Sequence, residues 1–338
     1  MAAASDAVRV DDRRPERDGP ASSTRRTDWL DLLLDYGLYV AIVVEVVVFW
    51  WLSPHFLTST NLLNIGSAIA VLGVIAAGLT IALVAGILDL SQTPLIAFTS
   101  IIVALLSARH DVPIGFAIAA ALALAMAIGL LNAGIVVGFG INSIIATLAV
   151  GTIVGGLSLL LTDAQPIGIP DAGFNNFFFH RVLEVPLPVI ILVAVYVIAA
   201  LLLYQTKLGW HIYATGGNAS AARRAGIPTI AVWVFVFVLS AGLSGVAGVM
   251  TAGLSNGGAA NLGGDLLTAA TAVLLGGIGL SGGGGRIERT LAGVVFLGVL
   301  NNGLILLQVQ SFWGTIVRGV ALLLAVIMVS VREKRMAR

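Results

Sequence analysis

Ten apolar runs, at about 36–52, 61–83, 93–107, 114–137, 142–162, 186–205, 228–252, 266–280, 289–307 and 312–331, leave this chain few ways to fold. A hydrocarbon layer about 30 Å thick takes roughly 20 apolar residues per helix, and within it every backbone N–H and C=O must be paired inside the protein. The runs predict an all-α integral membrane protein of about ten transmembrane helices, with the boundary inside 61–107 the least sharply marked. Charge agrees, since only 10% of the 338 residues are Asp, Glu, Lys or Arg, against roughly 25% in a soluble domain. Forty glycines fit helices that approach closely, because small residues drive packing where lipid removes any hydrophobic force between helices. Cysteine is absent, which excludes disulfides, a thiol nucleophile, a thiolate zinc site and an iron–sulfur cluster.

Short cytoplasmic loops are enriched in Lys and Arg, so the basic residues orient the spans. Arg9, Arg13, Arg14, Arg17, Arg25 and Arg26 precede the first run; Lys207, Arg223 and Arg224 follow the sixth; Arg286 and Arg289 follow the eighth; Arg332, Lys334, Arg335 and Arg338 follow the tenth. All fall on one side of a ten-span topology, which puts both termini in the cytoplasm. Residues 1–28 are polar, mixed in charge and lack the apolar core of a signal peptide, and they are expected to form a disordered cytoplasmic tail. The expected organisation is that tail, a transmembrane domain over 29–331 with a cytoplasmic loop at 206–227 and an outer loop at 163–185, and a basic cytoplasmic tail at 332–338.

The loop at 206–227 has its own helical grammar. Asn218 can cap a helix, Ala219, Ala221 and Ala222 favour one, Gly226 can take the left-handed conformation that ends it, and Pro228 can open the next. A two-turn helix is marginal alone in water, so it is expected to rest on something else. An ordinary basic loop accounts for the same charges.

These strings resemble the permease subunit of bacterial ATP-binding-cassette importers of the ribose, galactose and xylose type. The matching segments are TKLGWHIYATGGNASAARRAGI at 206–227, DLLTAATAVLLGGIGLSGGGGRIERTLAG at 265–293 and FLGVLNNGLILLQVQSFWGTIVRGVALLLAV at 296–326. NLLNI at 61–65, GILDLS at 86–91 and LLNAGIVVGFGINSIIATLAVG at 130–151 also fit, extending the resemblance over about 270 residues. It departs at Gln92, Thr93 and Pro94, where the family has Val-Gly, and at Ser143 and Ile144, where it has Pro-Phe. The resemblance implies that the short helix couples to an ATPase subunit through Asn218, Ala222, Arg223, Arg224 and Gly226. It further implies a periplasmic or lipid-anchored solute-binding protein, a second permease protomer in a homo- or heterodimer, a bacterial inner-membrane location, a monosaccharide or similar small polar solute, and no cofactor. Nucleic acid is not an expected partner.

Other chemistries fit less well. GLSG surrounds Ser244 and Ser281, as in intramembrane serine proteases, but none of His55, His110, His180 and His211 lies in the spans beyond either serine to act as base. SGGGGR at 281–286 lacks the lysine of a phosphate loop. No metal-ligand spacing occurs, so neither catalytic nor metal residues are expected.

Glu45, Asp89 and Arg318 fall at membrane depth, where a charge costs about 2.5–3.5 kcal/mol on insertion scales and must face protein or water. Asp89 can cap the following helix or line a solute path. Candidates for that path are Asn64, Asp89, Gln92, Asn132, Thr147, Asn301 and Asn302. On the outer loop, Asp171, Arg181 and Glu184 are candidates for docking the binding protein, beside Phe174 and Phe177–Phe179 as headgroup anchors. An ion-coupled secondary transporter using Asp89 or Glu45 as a relay is the alternative, and it would be favoured by an inverted repeat, of which the sequence shows no echo.

Overall fold

A computed structural model describes residues 29–262 and 266–336, so the expected tail over 1–28 lies outside the described residues. The chain is helical throughout: α1 (Trp29–Leu52), α2 (Ser59–Val84), α3 (Gln92–His110), α4 (Ile114–Ala133, continued by a π-helical turn over Gly134–Gly138), α5 (Ser143–Thr162), α6 (Ala172–Phe179), α7 (Leu187–Gln205), α8 (Lys207–Gly217), α9 (Ala219–Arg224), α10 (Thr229–Leu254), α11 (Leu266–Leu275), α12 (Ile287–Leu306) and α13 (Ser311–Met336). Eight stretches are long and apolar enough to span a membrane, and two shorter apolar helices, Tyr36–Leu52 and Ala260–Leu275, accompany them. The protein is thus an all-α membrane protein whose apolar helices match the ten runs.

The core sits between α2 and α10. Helix α10 packs against α2, α3 and α4, while α2 also packs against α7 and α12. Small residues make this possible: a Cβ at Gly248 of α10 would come within 2.7 Å of the Ile96 carbonyl oxygen on α3, so the two backbones touch. The outer helices instead expose apolar side chains, such as Ile153 and Leu160 on α5 and Leu323 and Ile327 on α13, where lipid takes the place of water.

Two expectations change at the ends of the bundle. The eighth run shortens to α11, ten residues ending at the Gly276–Gly277 turn, because Gly277 takes φ +77° and reverses the chain. The loop at 206–227 holds two helices, α8 and α9. Thr206 caps α8 by accepting from Gly209 N at 3.0 Å, as Asn218 caps α9. The opposite end carries α6 and two small antiparallel pairings, β1 (Ile167–Gly168) with β4 (Gly257–Gly258) and β2 (Arg181–Val182) with β3 (Val185–Pro186). The region of the expected basic tail begins inside α13, which continues helically through 332–336.

Candidate functional site

Between α2 and α3 the chain runs non-helically through residues 87–91, inside the bundle. Inside such a packed region unpaired backbone groups would be costly, and side chains of α5 answer them. Ser143 Oγ accepts from Leu88 N at 3.3 Å, and Thr147 Oγ1 accepts from Leu90 N at 3.0 Å. At its centre Asp89 is fully buried. Its Oδ1 accepts from Ser91 N at 3.0 Å and Ser91 Oγ at 2.6 Å, and its Oδ2 accepts from Ser240 Oγ on α10 at 2.9 Å.

Two amides extend this cluster. Gln92 Nε2 donates to Ser240 Oγ at 2.6 Å, and Asn132 Nδ2 donates to Ser91 Oγ at 2.8 Å. Each serine gives its single proton to the carboxylate, so the group facing its lone pair must be an N–H, which fixes both amide orientations. Asp89 is therefore approached by two matched arms, amide to hydroxyl to carboxylate. Ser240 lies eleven residues into α10, about 16 Å along the helix axis from the start of that helix. Asp89, Gln92, Asn132 and Thr147 thus converge on one buried polar cluster, which also contains Ser143, one of the two departures from the family pattern, while Gln92 belongs to the other. Asn64 and Asn301 are exposed on α2 and α12 away from this cluster, and Asn302 pairs with Asn61.

Glu45 on α1 is buried with both carboxyl oxygens unpartnered, and Arg318 on α13 donates to Thr315 Oγ1 at 3.3 Å. Ser244 Oγ donates to the Ser240 carbonyl of its own helix at 3.0 Å, a structural bond.

At one end of the bundle α9 stands clear. Asn218 caps it by accepting from Ala221 N at 2.9 Å, and Gly226 ends it at φ +84°, with Gly226 N donating to Arg223 O and Ile227 N to Ala222 O, each at 3.0 Å. Ala222 faces inward and is buried, so the outward surface is Ser220, Ala221, Arg223 and Arg224, with Ala219 half-exposed beside them. Arg223 is partly engaged, donating to Thr229 Oγ1 at 3.2 Å, whereas Arg224 is exposed.

Helix α8 anchors this end. Tyr213 Oη donates to Gly285 O at 2.8 Å, and burial pushes its phenol up, which keeps that proton in place. Arg286 pairs with Glu288, and Glu288 Oε2 accepts from Tyr204 Oη at 2.6 Å.

At the other end, Asp171 is the N-cap of α6, accepting from Phe174 N at 2.9 Å, so its carboxylate is built into the fold. Phe174 and Phe178 are buried, contrary to their expected place in the headgroup layer, while Phe177 and Phe179 stay exposed. The packing explains it: Phe178 fills the space that a side chain at Gly253 would need. Arg181 and Glu184 stand exposed on the β2–β3 hairpin, with Leu183 and Glu184 at φ 51° and 65° in its turn.

The chain matches the family described as branched-chain amino acid transport system / permease component over residues 61–326. It is 37% identical over 303 residues to the ribose import permease protein RbsC of Escherichia coli K12, covering 87% of this chain and 93% of that protein. It is 36% identical over 295 residues to RbsC of Bacillus subtilis 168, covering 86% and 91% of the two chains. Against the L-arabinose transport system permease protein AraH of Escherichia coli K12 the identity is 34% over 302 residues, covering 88% and 91%. No solved structure matches the chain significantly.

Proposed function

We infer, from the premise that this chain belongs to the permease-component family of branched-chain amino acid transport systems, that it is the membrane-spanning subunit of an importer for a monosaccharide. The observation that carries this reading is the match to ribose and arabinose permeases along at least 86% of the chain. The family description names amino acids and the relatives name sugars. The buried polar set favours sugar: it consists of hydroxyls, amides and two carboxyl groups, with no buried Arg or Lys among the described residues to hold an amino-acid carboxylate.

The subunit sits in the bacterial inner membrane with both ends in the cytoplasm, where its basic residues concentrate. A separate ATPase subunit supplies the energy, and the exposed face of α9 receives its motion. A solute-binding protein delivers cargo to the hairpin end, and solute passes between two permease protomers. The polypeptide itself catalyses no reaction.

The test is uptake of labelled pentoses and hexoses by vesicles holding the permease, its ATPase and its binding protein. ATP-dependent uptake of a pentose or hexose without an ion gradient is expected. Uptake that ignores ATP and collapses with the ion gradient would make the protein a secondary transporter instead.

A further inference from the structure

Three segments far apart in sequence meet backbone to backbone beneath α9. Helix α2 ends at Val84; Gly86 takes φ +77°, with Gly86 N donating to Leu83 O at 2.9 Å and Ile87 N to Ala82 O at 3.0 Å. Gly283, in the turn after α11, donates its N–H to the Val84 carbonyl at 2.9 Å. Gly216, in the last turn of α8, lies against both. A Cβ there would overlap the Val84 carbonyl oxygen and come within 2.7 Å of Gly283 N and 2.9 Å of the Ala85 carbonyl carbon. A Cβ on Gly282 would come within 2.7 Å of Gly86 Cα, and one on Gly283 would overlap Gly217. Real Cβ atoms do not tolerate such distances, so only glycine lets the three strands of backbone close on one another.

The position of this junction gives it a mechanical meaning. On one side Gly217 is followed at once by Asn218, the cap of α9. On the other, Gly86 is followed by the non-helical segment 87–91, with Asp89 three residues on. Trp233 Nε1 on α10 donates to Ala85 O at 3.2 Å, and Tyr213 ties α8 to Gly285. With no side chains between the segments, displacement of α8 is passed on by contact and not absorbed by rotamer changes. A turn of helix, a tight reversal and an extended segment then move as one piece.

We infer that Gly86, Gly216 and Gly283 form the joint through which movement of α9 reaches the Asp89 segment, so that these glycines are positioning residues for transport. The inference rests on the reading of α9 as the element that meets the ATPase.

The absence of native cysteine makes Leu88→Cys, at a half-buried position on the segment, the only thiol of the permease. In the complex with its ATPase in vesicles, the labelling rate of that thiol is expected to differ at least threefold between the nucleotide-free and vanadate-trapped states. Adding Gly216→Ala is expected to abolish the difference and lower uptake per ATP hydrolysed at least tenfold, with the ATPase still bound. Should Gly216→Ala fail to insert, Tyr213→Phe decides, since it removes only the tether to Gly285 and is expected to shrink the difference by at least half. A parent-like difference in whichever variant inserts overturns the joint alone. No difference in the parent, or no ATPase retained by it, overturns the coupling reading and the joint with it.

Discussion

Asn61 and Asn302, 241 residues apart in the chain, exchange amide hydrogen bonds in both directions, at 2.9 and 3.0 Å. Asn61 Nδ2 also donates to Phe56 O at 2.8 Å, so the pair fastens the start of α2 to the end of α12 and to the turn before α2. This arrangement is self-satisfying and leaves Asn302 little capacity for solute.

Asn302→Leu is therefore expected to act on stability. Asn61 loses both a donor and an acceptor in a partly buried place, which costs about 1–3 kcal/mol. Thermal unfolding in detergent should show a lower midpoint, while uptake per folded molecule stays within twofold of the parent. A selective loss of uptake with an unchanged midpoint would return Asn302 to the solute path.

At α9 the two arginines should separate. Arg224→Glu reverses an exposed charge without disturbing an internal bond, and is expected to weaken ATPase association and reduce uptake at least fivefold. Membrane insertion should be intact, because only one of the fifteen basic residues that set the proposed orientation changes. Thr229→Val frees Arg223 and is expected to leave uptake within twofold. Gly226→Val should resemble Arg224→Glu through shape, since a β-branched residue at φ +84° is strained by about 1–3 kcal/mol. Pull-down of the ATPase and uptake by vesicles, run on each variant, measure these effects.

How much of this was legible in the chain depends on the range of the forces involved. Spans are set by local hydropathy, and the Asn218 cap and the Gly226 stop by residues within one turn of each other, so both could be read directly. Ser240, which holds Asp89 from another helix, could not, although Ser91 stands two residues away. Ser240 lies 151 residues from Asp89 and shares a buried face of α10 with Ser244 one turn further on, so which of the two meets Asp89 is decided by how α10 is set along its axis against α3. The same holds for Asn61 against Asn64: one turn apart on α2, one is buried against α12 and the other exposed. Strand β1 pairs with β4 over two residues each, too short for any periodicity to register.

At the end of the bundle that carries α6, Asp171 and the hairpin charges should behave differently. Asp171→Asn keeps an N-cap and is expected to be silent, whereas Asp171→Ala costs about 1 kcal/mol in stability. Neutralising Arg181 and Glu184 together touches no internal hydrogen bond. It is expected to slow docking of the binding protein and flatten the salt dependence of its association rate, because exposed complementary charges chiefly steer encounter. Stopped-flow association at two ionic strengths measures this, and an unchanged salt dependence would leave the hairpin as a solvated turn.

Asp89→Asn is the most demanding substitution, because it changes one atom at the point where both hydrogen-bonded arms end. The amide can keep its oxygen toward Ser91, but it then presents an NH2 group to Ser240 Oγ, which already accepts from Gln92 Nε2. Two donors facing one hydroxyl leave that proton without an acceptor, at a cost of about 1–3 kcal/mol. Insertion and ATPase binding should survive, since Leu88 N and Leu90 N keep donating to Ser143 Oγ and Thr147 Oγ1. Uptake is expected to fall at least tenfold, the effect of about 1.4 kcal/mol on the limiting step. Adding Ser240→Ala removes the surplus donor, so the double variant should be more stable than the two single effects summed, by about 1 kcal/mol. Additive losses in that cycle would show that Asp89 and Ser240 act independently, and uptake within twofold of the parent would leave Asp89 as a structural brace between Ser91 and Ser240, since α3 itself starts at Ser91 without a side-chain cap.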